Sequence, residues 1–277
     1  MTDISIASNP LVHRVERVRH ELKFRLLTVK TVTTLTPNMI RITFEGEDLA
    51  GFVSAGFDDH VKLFFPADGE GPALPSLSPE GRPVFESGAP PIARDYTPRR
   101  FDAETNELDI DFAIHEAGPA TRWALQARPG DKLGIGGPRG SFVVADDFDW
   151  YLLIGDETAL PAIGRRLEEL RPGTKAFVIA EVSDAAEQQT FNSRASVDVR
   201  WLHRGTQPVG STSLLDEAAK ELALPSGDGY AWVACESGTA KRLRQILVDG
   251  LGHPKAWTKA AGYWKLGTAN VHETHND

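Results

Sequence analysis

The hydrophobic rhythm of the chain changes once, near Asp149. Before it, apolar and polar residues alternate in short runs; after it, unbroken apolar runs take turns with stretches of helical spacing. Arg25-Leu-Leu-Thr-Val-Lys-Thr-Val and Met39-Ile-Arg-Ile-Thr-Phe-Glu are β-branched and alternating, and Thr36-Pro37-Asn38 between them is turn chemistry, so together they predict a hairpin. His60-Val-Lys-Leu-Phe-Phe-Pro, Ala93-Arg-Asp-Tyr-Thr and Glu107-Leu-Asp-Ile-Asp-Phe-Ala-Ile-His add strands, and a mostly antiparallel barrel closes them most simply. Ala67 to Pro91 is dense in Gly, Pro and Ser and reads as a functional or mobile loop. Gly118-Pro119-Ala-Thr-Arg-Trp-Ala-Leu-Gln-Ala puts proline in a first helical turn, where its missing N–H costs nothing, and predicts a short helix.

In the second half Tyr151-Leu-Leu-Ile, Lys175-Ala-Phe-Val-Ile-Ala-Glu-Val, Val197-Asp-Val-Arg-Trp-Leu and Tyr230-Ala-Trp-Val-Ala-Cys read as buried strands, with helical segments at 162–170, 214–222 and 239–248. Strands alternating with helices predict a parallel sheet covered on both faces. The expected fold is therefore β plus α/β. An N-terminal antiparallel barrel of six-stranded type spans residues 20–148, a parallel-sheet nucleotide-binding domain spans 149–267, and 1–19 and 268–277 are flexible termini.

Charge and cysteine content narrow the partners. Thirty Lys and Arg against 39 Asp and Glu leave a net charge of −9, which repels nucleic acid. No apolar run approaches a bilayer span and the N-terminus lacks a secretion pattern, so a cytoplasmic protein without a membrane partner, acting as a monomer, is expected. The single cysteine, Cys235, forms no internal disulfide. His272 and His275 near the C-terminus read as part of a disordered end rather than a metal pair.

Two segments carry chemistry. Gly155-Asp156-Glu157-Thr158-Ala159-Leu-Pro161 joins the first strand of the second half to its helix, where a βα turn presents N–H groups to a pyrophosphate, although it lacks the G-x-G-x-x-G spacing. Arg94-Asp-Tyr96-Thr97-Pro-Arg99 offers an aromatic face, a hydroxyl and two guanidinium groups within six positions. Arg94 and Tyr96 fall on one strand face, with Thr97 opposite or at a kink. Such a set suits a flavin, which needs ring stacking, a small polar group at N5 and a cation for its phosphates.

These segments recur in a fixed order with His115-x-x-Gly118-Pro119-Ala120-x-x-Trp123, Gly137-Pro138-Arg139-Gly140-Ser141-Phe142 and Gly262-Tyr-Trp264-Lys265-x-Gly267. The order resembles the siderophore-interacting protein family, ferric-siderophore reductases among the ferredoxin reductase-like flavoenzymes, over roughly residues 20 to 267. The resemblance implies FAD in the barrel, with Tyr96 against the ring, Thr97 near N5, Arg94 toward the phosphates, and Arg99, Trp123, Gly140 and Ser141 also in the cofactor set. It implies that His115 and the Gly118-Pro119-Ala120 helix start hold the diphosphate and adenosine end. Gly155 to Ala159 would meet the nicotinamide nucleotide. Glu116-Ala117 and Cys235-Glu-Ser-Gly depart from the family pattern.

The implied activity is NAD(P)H-driven reduction of Fe(III) in a ferric siderophore through FAD. The alternatives are sequestration of siderophore or flavin without turnover, and another diaphorase of the superfamily. Cys235 faces the nicotinamide or is a buried structural thiol, and Asp156 and Glu157 position or cap rather than exchange protons. Arg200 and Arg204 suit a 2′-phosphate, whereas Glu181 and Asp184 repel one and favour NADH. Basic residues near Lys62, Arg139 and Lys265 line the substrate pocket in proteins similar to this one, which implies that role for these three.

Overall fold

Alternation in the first half turns one set of side chains inward. In the computed structural model, which describes residues 13–66, 71–72, 74–85, 91–115, 118–268 and 273–275, β1 is Val15–Arg19, β2 Phe24–Thr36 and β3 Met39–Glu45. β2 and β3 form the expected hairpin, with Leu27, Val29, Ile42 and Phe44 buried. Each such side chain contributes roughly 1.5–3 kcal/mol by burial. β4 (Val61–Phe65), the small hairpin β5 (Ser76–Leu77) and β6 (Pro83–Val84), β7 (Ile92–Tyr96), β8 (Pro98–Asp102), β9 (Glu107–Ala113) and β10 (Lys132–Gly136) follow.

Seven of these strands make one antiparallel sheet in the order β7-β4-β10-β2-β3-β9-β8. Its two edges, β7 and β8, are consecutive in the chain and joined by Thr97 alone. One bent segment thus lies at both edges of a curled sheet. Counted once it yields the expected six strands; as separate ladders there are seven. Helix α1 (Pro119–Gln126) lays Ala120, Trp123 and Ala124 against this core.

The second half builds a parallel sheet in the order β14-β13-β12-β15-β16 from β12 (Trp150–Gly155), β13 (Lys175–Val182), β14 (Ser196–His203), β15 (Gly229–Glu236) and β16 (Thr258–Trp264). Every residue of β12 is buried. Tyr151 and Leu153 pack with helix α2 (Leu160–Glu169), while Trp150, Leu152 and Ile154 face α3 (Leu214–Lys220) and α4 (Ser237–Gln245). The strand order reverses between β12 and β15, so a crevice opens at their carboxyl ends, Gly155 and Glu236.

The expected flexible termini are corrected where they are described. Val15–Arg19 pairs with β11 (Gly140–Val144), and β17 (Glu273–His275) pairs antiparallel with β16. His272 and residues 1–12 lie outside the described residues, as do Glu116 and Ala117. The 67–91 loop, where described, folds back as the β5–β6 hairpin. No helix among the described residues is long and apolar enough to cross a membrane.

Candidate active site

The barrel side of the site grows from the bend at Thr97. β7 presents Arg94 and Tyr96 half-buried, and Thr97 is buried at the kink. Tyr96 packs its ring 4.5 Å from Phe112 and 6.5 Å from Phe65, and burial pushes its hydroxyl well above the ordinary phenol range. Arg94 donates to the carbonyl of Ala93 at 2.8 Å and makes no ion pair among the described residues. Nearby, α1 starts at Gly118 with no side-chain cap and Pro119 in its first turn, so its early N–H groups are open to an anion. A half-buried cation without a carboxylate, an aromatic at a sheet edge and an uncapped helix start fit a flavin dinucleotide. His115 is exposed just before this helix.

Other residues expected at the flavin have different surroundings. Arg99 is buried and makes a two-point pair with Glu168 of α2, at 2.7 and 2.5 Å. Trp123 stacks on Phe44 with centroids 6.2 Å apart, inside the barrel core. Gly140 is small because β1 crosses it: a Cβ there would lie 2.6 Å from the Val18 carbonyl oxygen. Ser141 Oγ donates to Asp59 at 2.5 Å, accepts from the Ala55 N–H at 3.0 Å and meets His20 Nε2 at 2.7 Å. Its hydroxyl is thereby fully engaged.

At the crevice, Gly155 is forced by packing, since a Cβ would lie 2.3 Å from Ala159 Cβ and 2.5 Å from the Ala234 carbonyl oxygen. The following turn caps itself: Asp156 accepts from the Thr158 N–H at 2.9 Å and from the Thr158 hydroxyl at 2.5 Å. Those donors are not open to a pyrophosphate. Asp156 also accepts from Trp264 Nε1 at 2.8 Å, and burial raises its carboxyl above the usual range. Glu157 pairs with Arg204; burial first and the Asp156 charge second push it up to about 7, against the pull of Arg204. Glu181 accepts from Thr212 at 2.8 Å and lines a small pocket with Asp156, Gly210, Cys235, Glu236 and Thr239. Cys235 is buried, and its thiol is raised first by burial and then by the surrounding carboxylates, which keeps it protonated.

Sequence reasoning missed the residues that join the halves. Asp58 accepts from Trp232 Nε1 at 2.8 Å and from Lys259 at 2.5 Å, and the Lys259 ammonium lies 4.1 Å from the Phe142 ring centroid. Glu187 takes the Thr36 hydroxyl at 2.5 Å and the Asn38 side chain at 2.8 Å. Arg165 bonds the Ser54 hydroxyl at 2.8 Å and the Pro98 carbonyl at 3.0 Å. A buried acid flanked by apolar residues, as in Gly56-Phe57-Asp58-Asp59-His60, was the available signal.

Of the expected substrate residues, Lys62 and Arg139 belong to the antiparallel half and Lys265 to the parallel half. Lys62 stands opposite Gly136 across β4 and β10, three positions before exposed Arg139, and donates to Asp95 at 2.7 Å. Lys265 is exposed just past β16.

A curled antiparallel sheet followed by a parallel sheet is a ferredoxin reductase-like fold, shared with part of the flavohemoglobin of Malassezia yamatoensis and with part of phthalate dioxygenase reductase, which match at TM-scores of 0.59 and 0.54 with 14% and 15% identity. Residues 28–142 match the profile described as siderophore-interacting FAD-binding domain, and residues 148–267 match that described as siderophore-interacting protein. The NADPH-dependent ferric-chelate reductase of Escherichia coli K12 is 39% identical over 254 residues, covering 90% of this chain and 96% of its own. The ferric vibriobactin reductase of Vibrio cholerae is 34% identical, covering 88% and 90%. A solved siderophore utilization protein from T. fusca matches with a TM-score of 0.87 and 39% identity, over 93% of this chain and 98% of that one. The chain belongs to the siderophore-interacting protein family.

Proposed function

We propose that this protein is a flavoenzyme that takes electrons from a nicotinamide nucleotide and reduces Fe(III) held by a siderophore, which releases the iron because Fe(II) is bound far less tightly by hard-oxygen chelators. The observation that carries this reading is the docking of the two halves at the bend: just past Arg94, Tyr96 and Thr97, the Pro98 carbonyl accepts from Arg165 of α2 at 3.0 Å and Arg99 pairs with Glu168 of α2. When bound, FAD supplies the conversion of a two-electron hydride donor into single electrons. Tyr96 would cover the ring, Arg94 and the α1 start would hold the phosphates, and Thr97 would offer its hydroxyl to the ring. Arg99, Trp123, Gly140 and Ser141 support this cradle from behind.

We divide the chain at Asp149 into FAD-binding and nucleotide-binding domains and read it as a cytoplasmic monomer. NADH is the preferred donor in this reading, since Arg204 is engaged by Glu157 and Arg200 by Glu221, leaving Glu181 facing the nucleotide. The E. coli relative is named for NADPH, so kcat/KM for both nucleotides decides the choice. Purified protein should be yellow, bleach anaerobically with NADH or NADPH, and regain colour on adding a ferric siderophore. Bound flavin that no nucleotide reduces would leave only sequestration.

A further inference from the structure

The carboxyl ends of β12, β13 and β14 lie side by side, and each brings a charged residue to the crevice. Glu157 follows β12, Glu181 is the last but one residue of β13, and Arg204 follows β14. The Arg204 N–H donates to the Val182 carbonyl at 3.0 Å and the Gly205 N–H to the Ser183 carbonyl at 2.8 Å, so Arg204 stands beside the end of β13. In open sheets of this kind the adenine ribose lies near that strand end, where an acidic residue meets its diol or an arginine meets a 2′-phosphate. Glu181 holds the acidic place: it accepts from Thr212 at 2.8 Å and lines the small pocket.

Arg204 stands where a phosphate-binding cation would, yet it is already engaged. Its side chain is 9% exposed and pairs with Glu157, itself 11% exposed, across the ends of β12 and β14. Arg200, the other arginine nearby, is half exposed and pairs with Glu221 at 2.8 Å. Burying an ion pair strips both partners of water, so the Glu157–Arg204 pair adds little stability over apolar residues of the same size. Its effect falls on the guanidinium. Arginine binds phosphate through two parallel N–H groups of its fork. Committed to Glu157, Arg204 is neutralised, and the Glu181 carboxylate beside it repels a 2′-phosphate.

We propose that Glu157 sets nucleotide selectivity by withholding Arg204 from a 2′-phosphate, so that loss of the Glu157 charge opens the crevice to NADPH. The inference rests on the nucleotide lying at the carboxyl ends of β12 and β13.

The test compares FAD-loaded native protein with Glu157→Gln, Glu157→Asp, Arg204→Gln and the double variant Glu157→Gln/Arg204→Gln, with melting temperature as a check on folding. Two quantities are read: the ratio of kcat/KM for NADPH to that for NADH, and the calorimetric affinity for adenosine 2′,5′-bisphosphate, which carries the 2′-phosphate and no nicotinamide. Glu157→Gln should raise the ratio and tighten the bisphosphate by about tenfold, the worth of a hydrogen bond to a charged group. Glu157→Asp, whose shorter side chain loosens the pair, should move both in the same direction by less, and it carries the test if the Gln protein does not fold. The double variant should return both to near the native values, because the gain depends on the freed guanidinium, and Arg204→Gln alone should keep the native ratio. An unchanged or lower ratio in the folded Glu157 variants, or a ratio that falls in Arg204→Gln, would overturn the withholding and leave the crevice as the nucleotide site. A bisphosphate that fails to compete with NADH and binds all five proteins alike would place the nucleotide elsewhere and overturn the inference with that reading.

Discussion

Arg99 on β8 and Glu168 on α2 face each other as a two-point ion pair, Nη1 to Oε2 at 2.7 Å and Nη2 to Oε1 at 2.5 Å. Gly164 lies under the fork, where a Cβ would stand 3.1 Å from Arg99 Nη2. The residue expected at the cofactor thus bolts the barrel edge to the first helix of the parallel sheet. The bolt lies two residues past Thr97, where β7 bends into β8.

Glu168→Gln should therefore lower stability by about 1–3 kcal/mol, the cost of weakening a charge-assisted pair and leaving a buried guanidinium undercompensated. FAD binding at saturation should be unchanged. Urea unfolding with flavin absorbance on the same samples checks both, and loss of flavin at unchanged stability would return Arg99 to the cofactor.

Gly155→Ala should cost about 1–3 kcal/mol by overpacking, since neither the Ala159 methyl nor the Ala234 carbonyl can swing aside. The strain falls on the crevice, so reduction by nicotinamide should slow while FAD stays bound. Gly250→Ala is the control: its Cβ would meet nothing within 4 Å, and its thermal melt and reduction rate should match the native protein. Equal effects of the two substitutions would remove the packing argument.

The strands that alternate cleanly, 24–45 and 107–113, were legible because burying one sheet face fixes a period of two. β8 was not: Pro98-Arg99-Arg100-Phe101-Asp102 opens on proline and carries three charges, which cross-strand and cross-domain partners neutralise, Arg100 with Asp109 at 2.8 Å among them. β16 was hidden by small residues; Gly262 is required because a Cβ would lie 2.5 Å from Ser237 Oγ. That Arg94 and Tyr96 stand on one strand with Thr97 at its end was legible because they are near neighbours in the chain. Asp58 with Trp232, 174 residues apart, was not, since that contact exists only once the halves dock and no local period encodes it.

His13 ties the N-terminal strand to the seam in a pH-dependent way. Its ring lies between two carboxylates, Nδ1 3.1 Å from Asp147 and Nε2 2.9 Å from Asp228, and stacks on Phe148 with centroids 4.4 Å apart. Ionised carboxylates only accept, so both bonds require the imidazolium. Burial lowers its pKa, but the hydrogen bonds to Asp228 and Asp147 outweigh this and the net shift is above 6.5. The stabilisation is then complete below the unfolded value of 6.5 and is lost as pH rises through the folded value. For Asp147, burial raises but the His13 bonds prevail and lower it from 3.8, so its share holds above that value and is lost as pH falls through the folded one. The melting difference between native and His13→Ala protein should thus be greatest between about pH 4 and 6.5 and shrink as pH rises through the folded value of His13. A difference that is flat or grows with pH would contradict the doubly bonded imidazolium.

The substrate side poses a conflict of signs that the Lys62 pair makes testable. Ferric complexes of catecholate and carboxylate siderophores are commonly anionic, while the chain carries −9, so approach to the flavin needs local cations. Lys62 is partly offset by Asp95 at 2.7 Å, a pair exposed enough to exchange with solvent. Asp95→Asn removes the competing carboxylate and should lower KM for an anionic ferric siderophore by about two- to threefold at low salt, an effect that screening erodes as salt rises. Replacing Lys62, Arg139 and Lys265 together by Gln should raise KM and flatten its salt dependence. Flavin content and turnover with a small neutral acceptor should hold in both proteins, because the changes touch approach and not the cofactor. A KM that moves the same way in both, or a salt slope untouched by the triple change, would place the substrate elsewhere than above these three cations.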